Sequence, residues 1–192
     1  MTYAPKILAF AGSARRESFN KKLLAIGVNA AQAAGAEVTI VDFADYPMPL
    51  FNEDEEAHSG LPQTVVQFKG LLRRHQGLLL ACPEYNGSIT PLLKNALDWA
   101  SRPEPNDAPS CFQGKVAALL ATSPGALGGL RALVHVRAIL SNLGVMVIPQ
   151  QKAIPRAAQA FNSDGTLSNS SQHQSVSHIA QRLVDITGKL LV

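Results

Sequence analysis

Lys6-Ile7-Leu8-Ala9-Phe10-Ala11 is an apolar run of strand length that opens straight into Gly12-Ser13-Ala14-Arg15-Arg16-Glu17-Ser18-Phe19-Asn20, and a helical pattern begins near Lys21. A strand-to-helix turn of this make is a phosphate cradle. The first amides of a helix lack intrahelical partners and point at whatever lies above the sheet, where the helix dipole favours an anion. Small and hydroxylated residues let the backbone close in. Ser13, Ser18 and Asn20 offer hydrogen-bond donors, and Arg15 or Arg16 adds a charge-assisted bond. Taken by itself the loop also reads as a solvated turn with a capping serine. It carries neither Gly-x-Gly-x-x-Gly nor Gly-x-x-x-x-Gly-Lys-Ser/Thr, so a monophosphate suits it better than a pyrophosphate.

Outward from this turn, further strand-like runs lie at Glu37 to Phe43, Gly77 to Cys82, Lys115 to Thr122 and Val145 to Ile148. Several are almost wholly apolar, as expected of parallel strands covered on both faces. Helical patterns separate them: Asn20 to Ala34, Pro62 to His75, Ile89 to Ala100, Leu127 to Leu143 and Gln174 to Leu190. Strands alternating with helices predict a doubly wound α/β fold, a five-stranded parallel sheet with helices on both faces. Ala44 to Gly60, Arg102 to Pro109 and Gln150 to His173 are expected loops, and the acidic run Glu53 to Glu56 a solvated surface. On the third helix Ile89, Leu93, Ala96 and Ala100 make the buried stripe, which leaves Leu92 and Trp99 off it.

Composition bounds the chemistry. With 192 residues, 46% hydrophobic and 16% charged, the chain is long and apolar enough for one compact domain over residues 1–192. A net charge of +3 with dispersed basic residues argues against nucleic-acid binding. No apolar run reaches membrane-spanning length, and the first core strand begins too early for a secretory signal, so a cytoplasmic location is expected. Cys82 and Cys111 form no Cys-x-x-Cys pair, and the histidines show no metal-ligand spacing, so no metal site is expected.

A second motif ends the third strand: Pro83-Glu84-Tyr85-Asn86-Gly87-Ser88, running into Ile89-Thr90-Pro91-Leu92-Leu93-Lys94-Asn95-Ala96-Leu97-Asp98-Trp99. In open α/β sheets ligands sit beyond the carboxyl ends of the strands at the switch point, and both motifs occupy such ends. Tyr85 offers an aromatic wall, and amides around Asn86 and Gly87 suit the polar edge of a planar heterocycle. A turn followed by a capped amphipathic helix is the plainer reading of the same residues.

Together the motifs resemble the NADPH-dependent FMN reductase family of flavodoxin-like flavoproteins, which includes quinone, chromate and azo reductases. The resemblance rests on Gly12-Ser13-x-Arg15-x-x-Ser18-x-Asn20 and on Pro83 to Ser88 with Leu93-Lys94-Asn95-Ala96-x-Asp98-Trp99. Thr122-Ser123-Pro124-Gly125, Gly128-Gly129 and Phe161-Asn162-x-Asp164-Gly165 add to it. It implies strand order 2-1-3-4-5 and a non-covalent FMN. The phosphate would lie among Ser13, Arg15, Ser18, Phe19 and Asn20, the ring system against Pro83, Glu84, Tyr85, Asn86 and Gly87, and another side would be closed by Ser123 and Gly125. It also implies NADPH or NADH as co-substrate, a small acceptor such as a quinone, chromate, azo compound or free flavin, ping-pong turnover, and a homodimer or homotetramer.

Flavin carries its own redox chemistry, so no catalytic side chain is required of the protein. Asp98 and His135 read as helix-face residues with structural partners. Cys82 reads as a small core residue whose place near the second motif leaves a redox role open. The alternative function is a flavodoxin-like electron carrier that is not an enzyme. Such carriers are usually strongly acidic, whereas this chain is mildly basic and sets arginine in its phosphate loop.

Overall fold

A computed structural model of the chain describes residues 4–103 and 110–190. The apolar runs form β1 (Lys6–Ala11), β2 (Glu37–Val41), β3 (Gly77–Ala81), β6 (Val116–Thr122) and β7 (Met146–Ile154). These pair in parallel in the order β2-β1-β3-β6-β7, which is 2-1-3-4-5 when the five strands of this sheet are numbered alone. Helices cover both faces. On one lie α1 (Phe19–Ala33) and α7 (Ser170–Lys189); on the other lie α3 (Gln63–Arg74), α4 (Pro91–Ser101) and α5 (Leu130–Asn142).

The pleat of each strand divides its side chains between two apolar layers. Ile7, Ala9 and Ala11 of β1 enter the α1/α7 layer, while Leu8 and Phe10 enter the other. Phe10, Phe43 and Phe68 meet edge to face in that second layer, with ring centroids 5.5, 5.7 and 5.3 Å apart. Burial on both faces explains why β1, β3 and β6 read as nearly continuous hydrophobic runs.

The structure departs from the sequence reading in six places. The last strand does not stop at Ile148 but continues to Ile154, taking the first residues of the expected Gln150 to His173 loop. Its pairing slips between Ala117↔Val147 and Leu119↔Gln151. Pro149 lies in that slip, where a residue without an N–H cannot join the ladder and a bulge accommodates it. The acidic run forms a short helix, α2 (Glu53–Ser59), because the Asn52 side chain accepts from Asp54 N at 2.9 Å and carboxylates favour a helix start. α2 buries none of its residues, as a solvated run should.

The last helix starts at Ser170 rather than Gln174, capped by Asn169, and Leu190 lies past its end, 55% exposed. α5 starts at Leu130 rather than Leu127. Ile89 belongs to a hairpin instead of α4, and Trp99 is buried rather than off the core. Trp99 packs edge-on against Phe51, its indole N–H donates to Pro49 O at 2.8 Å, and Leu92 rests against the same apolar layer. Both therefore pack inside the monomer, which removes them as grounds for an oligomer. Of the expected loop Arg102 to Pro109, residues 104–109 lie outside those described.

Candidate functional site

Three loops meet at the carboxyl ends of β1, β3 and β6, and each is set by a bond that the sequence leaves little freedom to change. After β1, Gly12 N donates to Ala81 O at 3.0 Å, which ties the loop to β3. The Thr90 hydroxyl donates to Gly12 O at 2.7 Å and accepts from Leu93 N at 3.2 Å. One side chain thus joins the first loop to the N-terminus of α4 and caps that helix. A Cβ at Gly12 would lie 2.9 Å from Leu93 Cβ and 3.2 Å from Pro83 Cδ, so only glycine lets the two loops touch.

Asn20 makes the second tie. Its side-chain Nδ2 donates to Thr122 O at 2.9 Å, and its Oδ1 accepts from Thr122 N at 3.1 Å. The amide thus replaces a missing neighbour strand at the end of β6 and pins the start of α1 there. The first intrahelical bond of α1 is Lys22 N to Ser18 O, so the amides of Phe19, Asn20 and Lys21 have no acceptor within the helix. Ser18, the N-cap, makes no cap bond with its hydroxyl. Ser13 Oγ accepts from Arg15 N at 3.3 Å, turning the Arg15 side chain outward.

After β3, Pro83 leads into a hairpin of β4 (Glu84–Tyr85) and β5 (Ser88–Ile89), with Tyr85 opposite Ser88. Asn86 and Gly87 form the two-residue loop at φ 51 and 83, the mirror-image turn that Asn-Gly favours. The Asn-Gly pair was the available signal for this hairpin. α5 begins at Gly129, which has no side chain to cap it. Glu84 supplies the cap from across the gap: its carboxylate accepts from Arg131 N at 3.0 Å and Ala132 N at 3.4 Å. It also pairs with the Arg131 guanidinium at 2.6 Å. Whatever Glu84 offers the site, its charge is already spent on α5.

Between these loops lies a cleft of about 460 Å³, its open mouth included, lined by Ser13, Arg15, Ser18, Phe19, Asn20, Pro83, Glu84, Tyr85, Thr122, Ser123 and Pro124. The structure therefore brings together nine of the twelve expected site residues. Asn86 and Gly87 form the hairpin tip and Gly125 lies beyond Pro124, and none of the three lines the cleft. Thr122 and Pro124 line it without having been singled out, although both belong to the quoted Thr122 to Gly125 motif. Phe19 is held by Phe161, stacked at 6.0 Å and 13°, which gives the Phe161-to-Gly165 motif its place.

The side chains that could rival a bound cofactor as acid, base or nucleophile are otherwise engaged. His135 Nδ1 meets Ser88 Oγ at 2.8 Å, and Asp98 pairs with Lys94 at 2.7 Å. Cys82 is fully buried, and burial pushes its thiol up to about 12, which favours the neutral thiol. Arg15 is exposed at the cleft and has no side-chain partner among the described residues. Among the described residues no cluster of His, Cys, Asp and Glu could hold a metal ion, and no helix is long and apolar enough to cross a membrane. A larger groove, about 930 Å³, runs between α1 and α7. It lies along the helices, away from the strand ends where ligands of open α/β sheets bind.

This architecture has relatives. Residues 5–159 match the model of the NADPH-dependent FMN reductase family. The chain belongs to that family. It is 39% identical over 165 residues to an NAD(P)H-dependent FMN reductase of Pseudomonas aeruginosa, covering 84% of each chain. It is 36% identical over 168 residues to a probable NADPH:quinone oxidoreductase of rice, covering 85% of this chain and 79% of that one. Among solved structures, the flavoenzyme NAD(P)H:(acceptor) oxidoreductase of Paracoccus denitrificans superposes with a TM-score of 0.81 at 27% identity, over 97% of this chain and 98% of that one. The chain is thus a flavodoxin-like oxidoreductase of a family whose flavin is FMN and whose reductant is NAD(P)H.

Because Asn20 satisfies both backbone groups of buried Thr122, Asn20→Ala should lower unfolding stability by about 1 to 3 kcal/mol. Urea unfolding of the apoprotein measures this. A variant with the wild-type midpoint would show that the clamp contributes nothing.

Proposed function

We propose that the cleft binds one non-covalent FMN and that the chain is an NAD(P)H oxidoreductase for small acceptors, quinones first. The observation that carries this reading is convergence. The unpaired amides of α1, the cap hydroxyl of Ser18 and the Arg15 guanidinium, which has no partner among the described residues, all meet at one cleft, walled by the half-exposed ring of Tyr85. An anion-binding helix start beside an aromatic wall suits a phosphate joined to a planar ring system. Bound there, FMN would supply the redox chemistry, taking a hydride from the nucleotide and passing the electrons to the acceptor.

The residues of the chain do the binding. Ser13, Ser18 and the amides of Phe19 and Asn20 hold the phosphate, with Arg15 adding charge. Pro83, Glu84 and Tyr85 wall the ring on one side and Ser123 on another, while Asn86, Gly87 and Gly125 shape the loops behind. One open face serves nucleotide and acceptor in turn, so turnover is ping-pong. Quinones lead because the rice relative is named for them; chromate, azo compounds and free flavin fit the same open face. The reading places one domain over residues 1–192 in the cytoplasm.

The same reading includes a homodimer. α5 leaves Leu130 and Val134 exposed, Leu127 precedes it, and the hairpin held on α5 by Glu84 exposes Tyr85. A second copy of this surface is a self-complementary partner that would bring the cleft to the subunit boundary.

Reconstitution with flavin followed by chromatography of the heat-released cofactor should yield FMN. Steady-state assays with a quinone should then give parallel double-reciprocal lines. Release of FAD, or no flavin retained, overturns the cofactor assignment; intersecting lines overturn the single shared face.

Arg15→Ala should weaken FMN binding tenfold to a hundredfold, the worth of a charge-assisted bond of about 1.5 to 3 kcal/mol. Arg16→Ala should bind as wild type. Fluorescence titration of apoprotein with FMN decides between them, and the reverse order would move the phosphate contact to Arg16.

Sedimentation velocity should show a dimer that Val134→Glu dissociates. A wild-type monomer across the concentration range removes the dimer.

A further inference from the structure

Arg156 stands just past the end of β7, and its backbone is at φ 52, ψ 50, in the left-handed region. Among the described residues only Asn86 shares a positive φ without being glycine, and asparagine is a usual occupant of such a turn. An arginine there carries a conformational cost that glycine would avoid. The surroundings hold it in place: Arg156 N donates to Gly125 O at 3.2 Å, and Ala157 N donates to Ser123 O at 3.0 Å. The backbone of Arg156 is thus bolted to the third loop of the cleft.

Its side chain is exposed and, among the described residues, makes no ion pair or hydrogen bond, unlike Arg102, Arg131, Arg137 and Arg182, which all have partners. It lines an open recess with Pro124, Ala158 and Gln159, about 640 Å³ with its mouth included. Pro124 also lines the cleft assigned to FMN, so the two recesses share a wall. Gln159 is exposed and contributes a side-chain amide beside the guanidinium.

We propose that Arg156, with Gln159, binds the 2′-phosphate of NADPH in the recess behind Pro124 and so selects NADPH over NADH. This rests on the flavin reading above. A planar guanidinium with nothing else to bind is suited to a bidentate phosphate contact, and an arginine is the usual device for telling the 2′-phosphate from a bare ribose. The FMN phosphate does not compete for it, because Ser13, Ser18, Arg15 and the α1 amides already serve that group on the other side of Pro124. A nucleotide whose nicotinamide enters the cleft mouth would carry its adenosine end over Pro124 into the second recess.

The test uses FMN-loaded enzyme and the variants Arg156→Gly and Arg156→Lys. Glycine relieves the left-handed strain, so that variant should unfold no earlier than wild type. Its KM for NADPH should rise about tenfold or more, while the KM for NADH and kcat with either nucleotide stay at wild-type values. Arg156→Lys should recover part of the NADPH preference. Independently of turnover, calorimetry on the holoenzyme should show adenosine 2′,5′-bisphosphate binding more tightly than AMP in wild type, and equally in Arg156→Gly.

Equal rises in both KM values, or none, would overturn the assignment. So would loss of FMN from Arg156→Gly, which would place the arginine on the flavin phosphate. The flavin content of the wild-type protein separates the two readings: wild type that retains no FMN defeats the proposed function, whereas wild type that retains FMN but does not distinguish the nucleotides defeats only the role of Arg156.

Discussion

The Asn20 amide closes on the main chain of Thr122 in both directions, and the site depends on that closure. β6 ends at Thr122, where the ladder to β3 has given out and the backbone groups of Thr122 on that side would go unpaired. A side chain from the first turn of α1 satisfies them. The same contact fixes where α1 begins, and therefore where its free amides point. The pairing of β6 and the aim of the α1 amides are thus coupled through one residue, and the helix start cannot drift without costing Thr122 those hydrogen bonds.

Two further ties of the same kind complete the cradle. Thr90 binds Gly12 O while capping α4, and Glu84 caps α5 while holding the hairpin down. In each case a helix that would otherwise start uncapped borrows its cap from, or lends it to, a neighbouring loop. Side-chain-to-backbone bonds across loops restrict conformations that the apolar core does not reach, which matters for a site built above the sheet rather than inside it. At α1, beside the cleft, the start is left unfilled. Its N-cap Ser18 makes no cap bond with its side chain.

The glycines near the site follow from crowding as much as from turn geometry. Gly12 sits where β1, Pro83 and Leu93 converge, and a Cβ at Gly129 would stand 2.8 Å from Ala121 Cβ. Removing side chains there lets three loops approach closely enough to share one cleft. The left-handed Arg156 is the opposite case, a position where backbone geometry invites glycine and a long cationic side chain stands instead.

By itself the sequence determined the layered parallel sheet, because helices on both faces demand strands apolar at every position, and the runs at β1, β3 and β6 meet that demand. It also determined the family, since Gly12-Ser13-x-Arg15-x-x-Ser18-x-Asn20 and the Pro83 to Ser88 motif are local and specific. It could not assign side chains with two credible duties. Glu84 read as a cofactor contact, and it lines the cleft while also spending its charge on α5; Trp99 read as off the core and proved to pack on Phe51; the acidic run after Asn52 read as loop and formed a capped helix. Nor could it see that β7 runs on through a bulge at Pro149, or that Arg156 lies beside the third loop. Apart from the α2 cap, which is local, those outcomes depend on distant partners, 47 residues away for Glu84 and 50 for Trp99, and a partner that distant leaves no periodicity in the local sequence; only the closed tertiary structure, in which each buried polar group must find its mate, decides it.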